Sequence, residues 1–252
     1  MTAGFPDIEV AFRESEVTRS VVGPKLLSPK PLLDPIPEFR KPFTPMLGLS
    51  IAPLKTPHYE GTGALYFRLS KDDDHIILLT AAHVARPPHM YTNKDMSRKS
   101  NSGPRENIVT LGNMGYRHST NAMIATIGHL ARSVMMCERV NTRLGEFVDG
   151  EDPEVTRRRD GNEYEVKKAT RIIDHLNKLH DQVTKRTTNP DHCIIGFVLH
   201  AEPIVVSDGP NRFTRDWAFI ELYKEKIDWD TFPGNKVYVG SFPISSHIFS
   251  FG

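Results

Sequence analysis

The sequence predicts a mainly β body interrupted by an inserted α-helical hairpin, on three observations. Strand-like segments, alternating or continuously apolar, flank the chain's middle at residues 61–79 and 193–222. Between them, apolar residues in 119–188 recur at three- and four-residue steps. Eight of the 19 prolines fall in residues 1–48, where they oppose regular hydrogen-bonded ladders. The reading therefore has four parts: a proline-rich extended arm at 1–48, a first β part at 49–118, a helical hairpin at 119–188 and a second β part at 189–252.

Each element has its own signal. The arm carries two short apolar pieces, Ile8-Glu-Val-Ala-Phe and Met46-Leu-Gly-Leu, which can dock as edge strands. In the first β part, Leu65, Phe67 and Leu69 alternate with Ala64, Tyr66 and Arg68, as in a half-buried strand. The polar turn Ser70 to His75 leads into Ile76-Ile-Leu-Leu79, a continuous apolar run expected to be a buried strand paired with the first. His83 follows directly. Pro87-Pro88 and 93–103 read as loop, and Asn107 to Gly112 as a short strand.

The helical period begins after a Ser119/Thr120 cap and runs through Ile127, Leu130, Val134, Cys137, Leu144 and Val148, ending at Gly150. Asp152-Pro153 offers a cap and a first-turn proline for a second helix, whose stripe is Val166, Ala169, Ile173, Leu176 and Val183. Narrow stripes with charged outer faces predict an antiparallel pair projecting from the body. Strand character returns at Cys193 to Leu199 and at Ile204 to Val206. After a turn at Asp208-Gly-Pro210 comes Arg215-Asp-Trp-Ala-Phe-Ile-Glu-Leu222, with Asp216 at the strand's start. Lys236 to Val239 reads as one more short strand.

Composition excludes several function classes. Lys plus Arg number 32 against 31 Asp plus Glu, so no bulk field gathers nucleic acid or anionic lipid. Arg157-Arg-Arg159 and Lys167-Lys168 sit among Glu151, Asp152, Glu154, Asp160, Glu163 and Glu165, which marks a solvated helix face rather than a basic track. No apolar run approaches the roughly 20 residues of a membrane helix, and no basic start precedes a signal-like run. With two cysteines, Cys137 and Cys193, a disulfide framework is not expected, which fits an intracellular, soluble protein. The 11 histidines do not form a zinc pattern: His175 and His180 are five apart, and His192-Cys193 has no paired partner. Asp72-Asp-Asp74 lacks the spaced loop of a calcium site and reads as a turn. No metal and no cofactor is expected.

His83 and Asp216 each sit at the edge of a core strand. In isolation, such a histidine is a satisfied core residue and such an aspartate a turn former. Their local sequences say more. Gly61-Thr-Gly63, then a strand, a turn and Leu79-Thr-Ala-Ala-His-Val84, resembles the histidine segment of trypsin-like serine proteases. Arg215-Asp-Trp-Ala-Phe-Ile-Glu-Leu222 resembles their aspartate segment, and the chain order, His before Asp, is the same. The resemblance implies a chymotrypsin-like double β-barrel with a cleft between barrels and a polypeptide substrate. It makes His83 the general base and Asp216 the carboxylate that orients it.

Three departures qualify it. Val84 stands where the disulfide-bonded secreted branch has cysteine, which points to the disulfide-free branch. The stretch from His83 to Asp216 spans 133 positions, and the helical hairpin supplies the excess; loop closure tolerates such an insertion. The third departure removes the nucleophile: no Gly-Asp-Ser-Gly-like sequence follows Asp216. The 36 residues after it are too few for a second barrel, which needs about 50 to 80. Ser241, Ser245, Ser246 and Ser250 are the late serines, none in a glycine frame. The expectation is a partial chymotrypsin-like barrel, a truncated or degenerate relative inactive as it stands. The competing expectation is a non-catalytic interaction module that binds a protein partner through the 119–188 hairpin.

Overall fold

The computed structural model describes residues 23–30, 34–98, 103–187, 189–210 and 212–239. The apolar piece at Ile8 and the four late serines lie outside the described residues.

In chain order the elements are α1 (Pro37–Arg40), β1 (Ser50–Pro53), β2 (Gly61–Thr62), β3 (Leu65–Phe67), β4 (Ile77–Thr80), α2 (Ala82–Ala85), β5 (Met96–Ser97), β6 (Asn107–Thr110), α3 (Asn113–Leu144), α4 (Pro153–Thr187), β7 (Ile194–Ala201), β8 (Val205–Val206), β9 (Thr214–Arg215) and β10 (Ala218–Leu222). Strands run in the order β2-β1-β6-β7-β10-β4-β3, with β5 added on β7, and every pairing is antiparallel. The two ends of that path, β2 and β3, are successive pieces of one segment. The Gly63 amide donates to Leu49 O at 2.9 Å and the Ala64 amide to Leu79 O at 2.8 Å, so residues 61–67 reach from β1 to β4. The sheet is therefore curled into a half-barrel. In it β6 returns beside β1 after the run β1, β2/β3, β4, which is a Greek-key connection. β8 and β9 form a separate two-stranded ribbon.

The half-barrel closes on an apolar core that includes Ile51, Leu78, Val198, Ala218 and Ile220, all fully buried. Burial of each such aliphatic chain contributes about 1.5–3 kcal/mol. β10 follows its sequence alternation, with Ala218, Ile220 and Leu222 inside and Phe219 and Glu221 half-buried on the other face. In β3 the alternation is inverted from the expectation. Tyr66 is buried and Leu65 and Leu69 are exposed, because Asn235 pins the Tyr66 backbone on both sides and Phe232 packs edge-on against its ring.

The first helix, α3, begins and ends earlier than its pattern indicates, and α4 runs close to its expected end. α3 starts at Asn113, not at a Ser119/Thr120 cap, because Glu60 reaches over from another part of the chain. Its carboxylate accepts from the Met114 amide at 2.6 Å and the Gly115 amide at 2.9 Å. α3 stops at Leu144 rather than Gly150, followed by Gly145 at φ 74°. Val148 consequently lies beyond the helix and is exposed. Asp152 caps α4 as its sequence suggests, accepting from the Glu154 amide at 2.9 Å. The helices run 32 and 35 residues against eight for the longest strand. Helix therefore outweighs strand in a chain expected to be mainly β.

The pair does not simply project. Met123, Leu176, Leu179 and Val183 at its base share a second apolar cluster with Leu27, Ile36 and Phe43 of the proline-rich arm. The arm is correspondingly not extended throughout: residues 37–43 form two short helical turns, each with proline near its start. Leu47 forms one parallel bridge with Val237, which is all that remains of the strand expected at 236–239. No helix among the described residues is long and apolar enough to cross a membrane.

Candidate active site

Strand register brings the two candidate residues together. β4 and β10 are antiparallel with Thr80 opposite Ala218. Each step forward beyond Thr80 is matched by one step back before Ala218, so Asp216 arrives beside the first turn after β4. That turn is α2, with Ala82, Val84 and Ala85 buried against the core. His83, between them, is left facing outward.

Asp216 grips His83 at two points. Its Oδ2 lies 2.5 Å from Nδ1 of the imidazole, and its Oδ1 accepts the His83 backbone N–H at 3.0 Å. The side chains remain 45% and 24% exposed. With the carboxylate accepting from Nδ1–H, the neutral ring carries its lone pair on Nε2. Among the described residues Nε2 has no hydrogen-bond partner. The arrangement is a solvent-facing base with its tautomer and orientation fixed from behind.

Neighbouring contacts position that turn. A Cβ at Gly61 would stand 2.3 and 2.5 Å from the Val84 methyls, so only glycine lets β2 pass this close to α2. Gly63 clears Leu78 in the same way, at 2.8 Å. Thr80 Oγ1 donates to Thr62 O at 2.9 Å and ties the end of β4 to β2. Beyond α2, Arg86 pairs with Glu106 at 3.0 Å and lies over the Tyr91 ring. On the far side of Asp216, Trp217 and Phe219 stack with His200. The roles of Thr80, Arg86 and Glu106 were not visible in sequence. Their partners lie 18 to 20 residues away, and none belongs to a local pattern.

Two clusters among the described residues bring carboxylates near a histidine: Asp73, Asp74 and His75, and Asp95, His200 and Glu202. In both the groups are already engaged. Asp73 accepts from the His75 amide and Asp74 pairs with Lys224, which is the turn expected for this acidic run. Ser97 Oγ lies 2.6 Å from His200 Nδ1, and Glu202 lies 3.3 Å from Nε2 and 3.8 Å from Arg215. Cys137 and Cys193 are both free.

No protein-family model, curated protein or solved structure matches the chain.

Proposed function

We propose that this chain carries the general-base half of a trypsin-like serine endopeptidase site, with His83 as base and Asp216 as its orienter, on a chymotrypsin-like barrel of the disulfide-free branch. The observation that supports it most is the two-point hold of Asp216 on His83. A single contact would suffice to cap a short turn, and an exposed ion pair contributes little stability. Gripping both the ring and its backbone, while leaving Nε2 open, is what a base awaiting a hydroxyl proton requires. The Greek-key half-barrel and the order of histidine before aspartate support the same reading. No serine among the described residues hydrogen-bonds Nε2, so the nucleophile and oxyanion amides are left unassigned.

The test has two arms. A fluorophosphonate probe is expected not to label chain 1–252. In the protein joined to a glycine-framed serine segment, peptide hydrolysis is expected and His83→Ala is expected to abolish it. Full hydrolysis in a folded His83→Ala variant would refute the assignment.

A non-catalytic interaction module is the second reading, favoured by the exposure of Ile124, Met135 and Met136 on the outer side of α3. It predicts capture of a protein partner that is lost when 119–188 is deleted, with no hydrolysis in either arm above.

A further inference from the structure

A cavity of about 450 Å³ lies between β6, the start of β7, the base of the α3–α4 pair and the arm near Leu26. This falls within the roughly 300–1,000 Å³ usual for small-molecule sites. Neither His83 nor Asp216 lines it. Leu26, Phe43, Leu54, Val109, Leu111 and Ile195 give it an apolar wall.

Its charged lining has one sign. Lys226, Arg186 and Arg117 border the cavity, and no aspartate or glutamate among the described residues does. Lys226 is 1% exposed, and its ammonium makes one hydrogen bond, to His192 O at 3.1 Å. A Cβ on Gly23 would stand 2.5 Å from that Nζ, so glycine leaves the ammonium its room. Arg186, half-buried near the end of α4, has no hydrogen bond or ion pair among the described residues. Thr110 Oγ1, which also borders the cavity, is buried without a hydrogen-bond partner.

Two cations withdrawn from water with no ion pair among the described residues are costly, and Glu225, beside Lys226 in sequence, does not line the cavity. Burial pushes both Lys226 and Arg186 below their ordinary pKa ranges. Cys193 borders the same cavity, but burial pushes its thiol up, so it supplies no compensating charge at neutral pH. An anion would complete the cationic end, and the apolar wall calls for a hydrocarbon body attached to it.

We propose that this cavity binds an amphipathic organic anion, a carboxylate on an apolar body of the medium-chain fatty-acid kind. The carboxylate is held by Lys226 and Arg186, and the hydrocarbon packs against the wall from Leu26 to Ile195. Such a ligand ties the half-barrel, the helical pair and the arm together.

The experiment is calorimetric titration of chain 1–252 with dodecanoate and, separately, with dodecyltrimethylammonium, which has the same tail and the opposite charge. Dodecanoate is expected to bind saturably, one per chain, and the cation not to bind at that site. Arg186→Gln and Lys226→Met are each expected to weaken dodecanoate binding by about tenfold, the loss of one charge-assisted contact. Arg186 is only half-buried and makes no hydrogen bond or ion pair among the described residues, so its variant retains the fold and carries the test if Lys226→Met does not fold. Absence of saturable one-to-one binding overturns the proposal. So does equal binding of the cation, or unchanged affinity in Arg186→Gln or in a folded Lys226→Met.

Discussion

Two pairs of side chains, one at the strand ends and one at the tip of the helical pair, use the same chemistry to opposite effect. Asp216 grips His83 at ring and backbone, and the imidazole keeps a nitrogen facing solvent. Glu151 grips Arg159 with both oxygens, at 2.5 and 3.0 Å, and accepts from Thr156 as well. There the side chains are only 10% and 13% exposed, and Asn141 bridges to α4 alongside, contacting Arg159 O and Asn162. The tip pair is closed over and fastens the reversal at 145–152 to α4, with Asn141 making the link to α3; the strand-end pair is held in place and left open. The imidazole keeps an unengaged acceptor, whereas the tip pair spends both carboxylate oxygens on one guanidinium, whose Nε alone is left buried without a partner.

The largest effect that sharpens this contrast is at Asp216. In the protein supplied with a serine nucleophile, Asp216→Asn is expected to lower turnover by about 10⁴-fold, because the amide donates where the carboxylate accepted and favours the wrong tautomer. The chain should stay folded, since the pair is half-exposed. Nitrogen NMR of the His83 ring checks the cause directly: Nδ1–H in the wild type and its loss in the variant. An unchanged ring spectrum would show that Asp216 does not set the tautomer.

A smaller effect is expected one layer behind. Gly61→Ala forces a methyl against the branched Val84 side chain, and overpacking of this kind costs about 1–3 kcal/mol. Urea denaturation measures it. Because the two closest contacts are to the Val84 methyls, Val84→Ala in the same chain removes them and is expected to recover part of the loss. If the double variant is no more stable than Gly61→Ala alone, the close approach of β2 to α2 does not hold His83 in place.

What could be read from the sequence follows the range over which each feature is encoded. The strands β3, β4, β6, β7 and β10 and the places of His83 and Asp216 beside them were legible because a β strand and the turn after it are written in consecutive residues, whereas β1 and β5 were not, and the run at 236–239 makes only a bridge. The α4 stripe at Ala169, Leu176 and Val183 was legible for the same reason, and all three are buried. The start of α3 was not legible, since its cap is Glu60, 54 residues upstream of Met114. Tyr66 was placed on the wrong face because its burial depends on Asn235 and Phe232. The cavity cations were hidden too. Lys226 ends the ordinary-looking run Lys224-Glu-Lys, and Arg186 follows Lys185; only the fold removes them from water. Arg159 was read as part of a solvated face, and its neighbours do pair as expected, Arg157 with Glu154 at 2.5 Å. Yet Arg159 itself is buried, because the chain reversal at 145–152 folds Glu151 back over it.

That reversal gives the smallest effect and the one that separates the two pairs by pH. The hydrogen bonds from Arg159, then from Thr156, hold the Glu151 carboxyl down at about 2 against an ordinary 4.5. A carboxylate depressed by folding stabilises the folded chain fully above its unfolded value, and that contribution falls away as pH drops through the folded one. The wild type is therefore expected to melt above Glu151→Gln by a constant margin from about pH 5 to 8. The margin should narrow below pH 4.5 and close near pH 2. Circular dichroism melts across that range read it through the helical signal, to which α3 and α4 contribute most. A margin that survived unchanged at pH 2 would mean that Glu151 acts through packing rather than charge, and the tip would no longer serve as the closed, ion-paired counterpart to the open pair at His83.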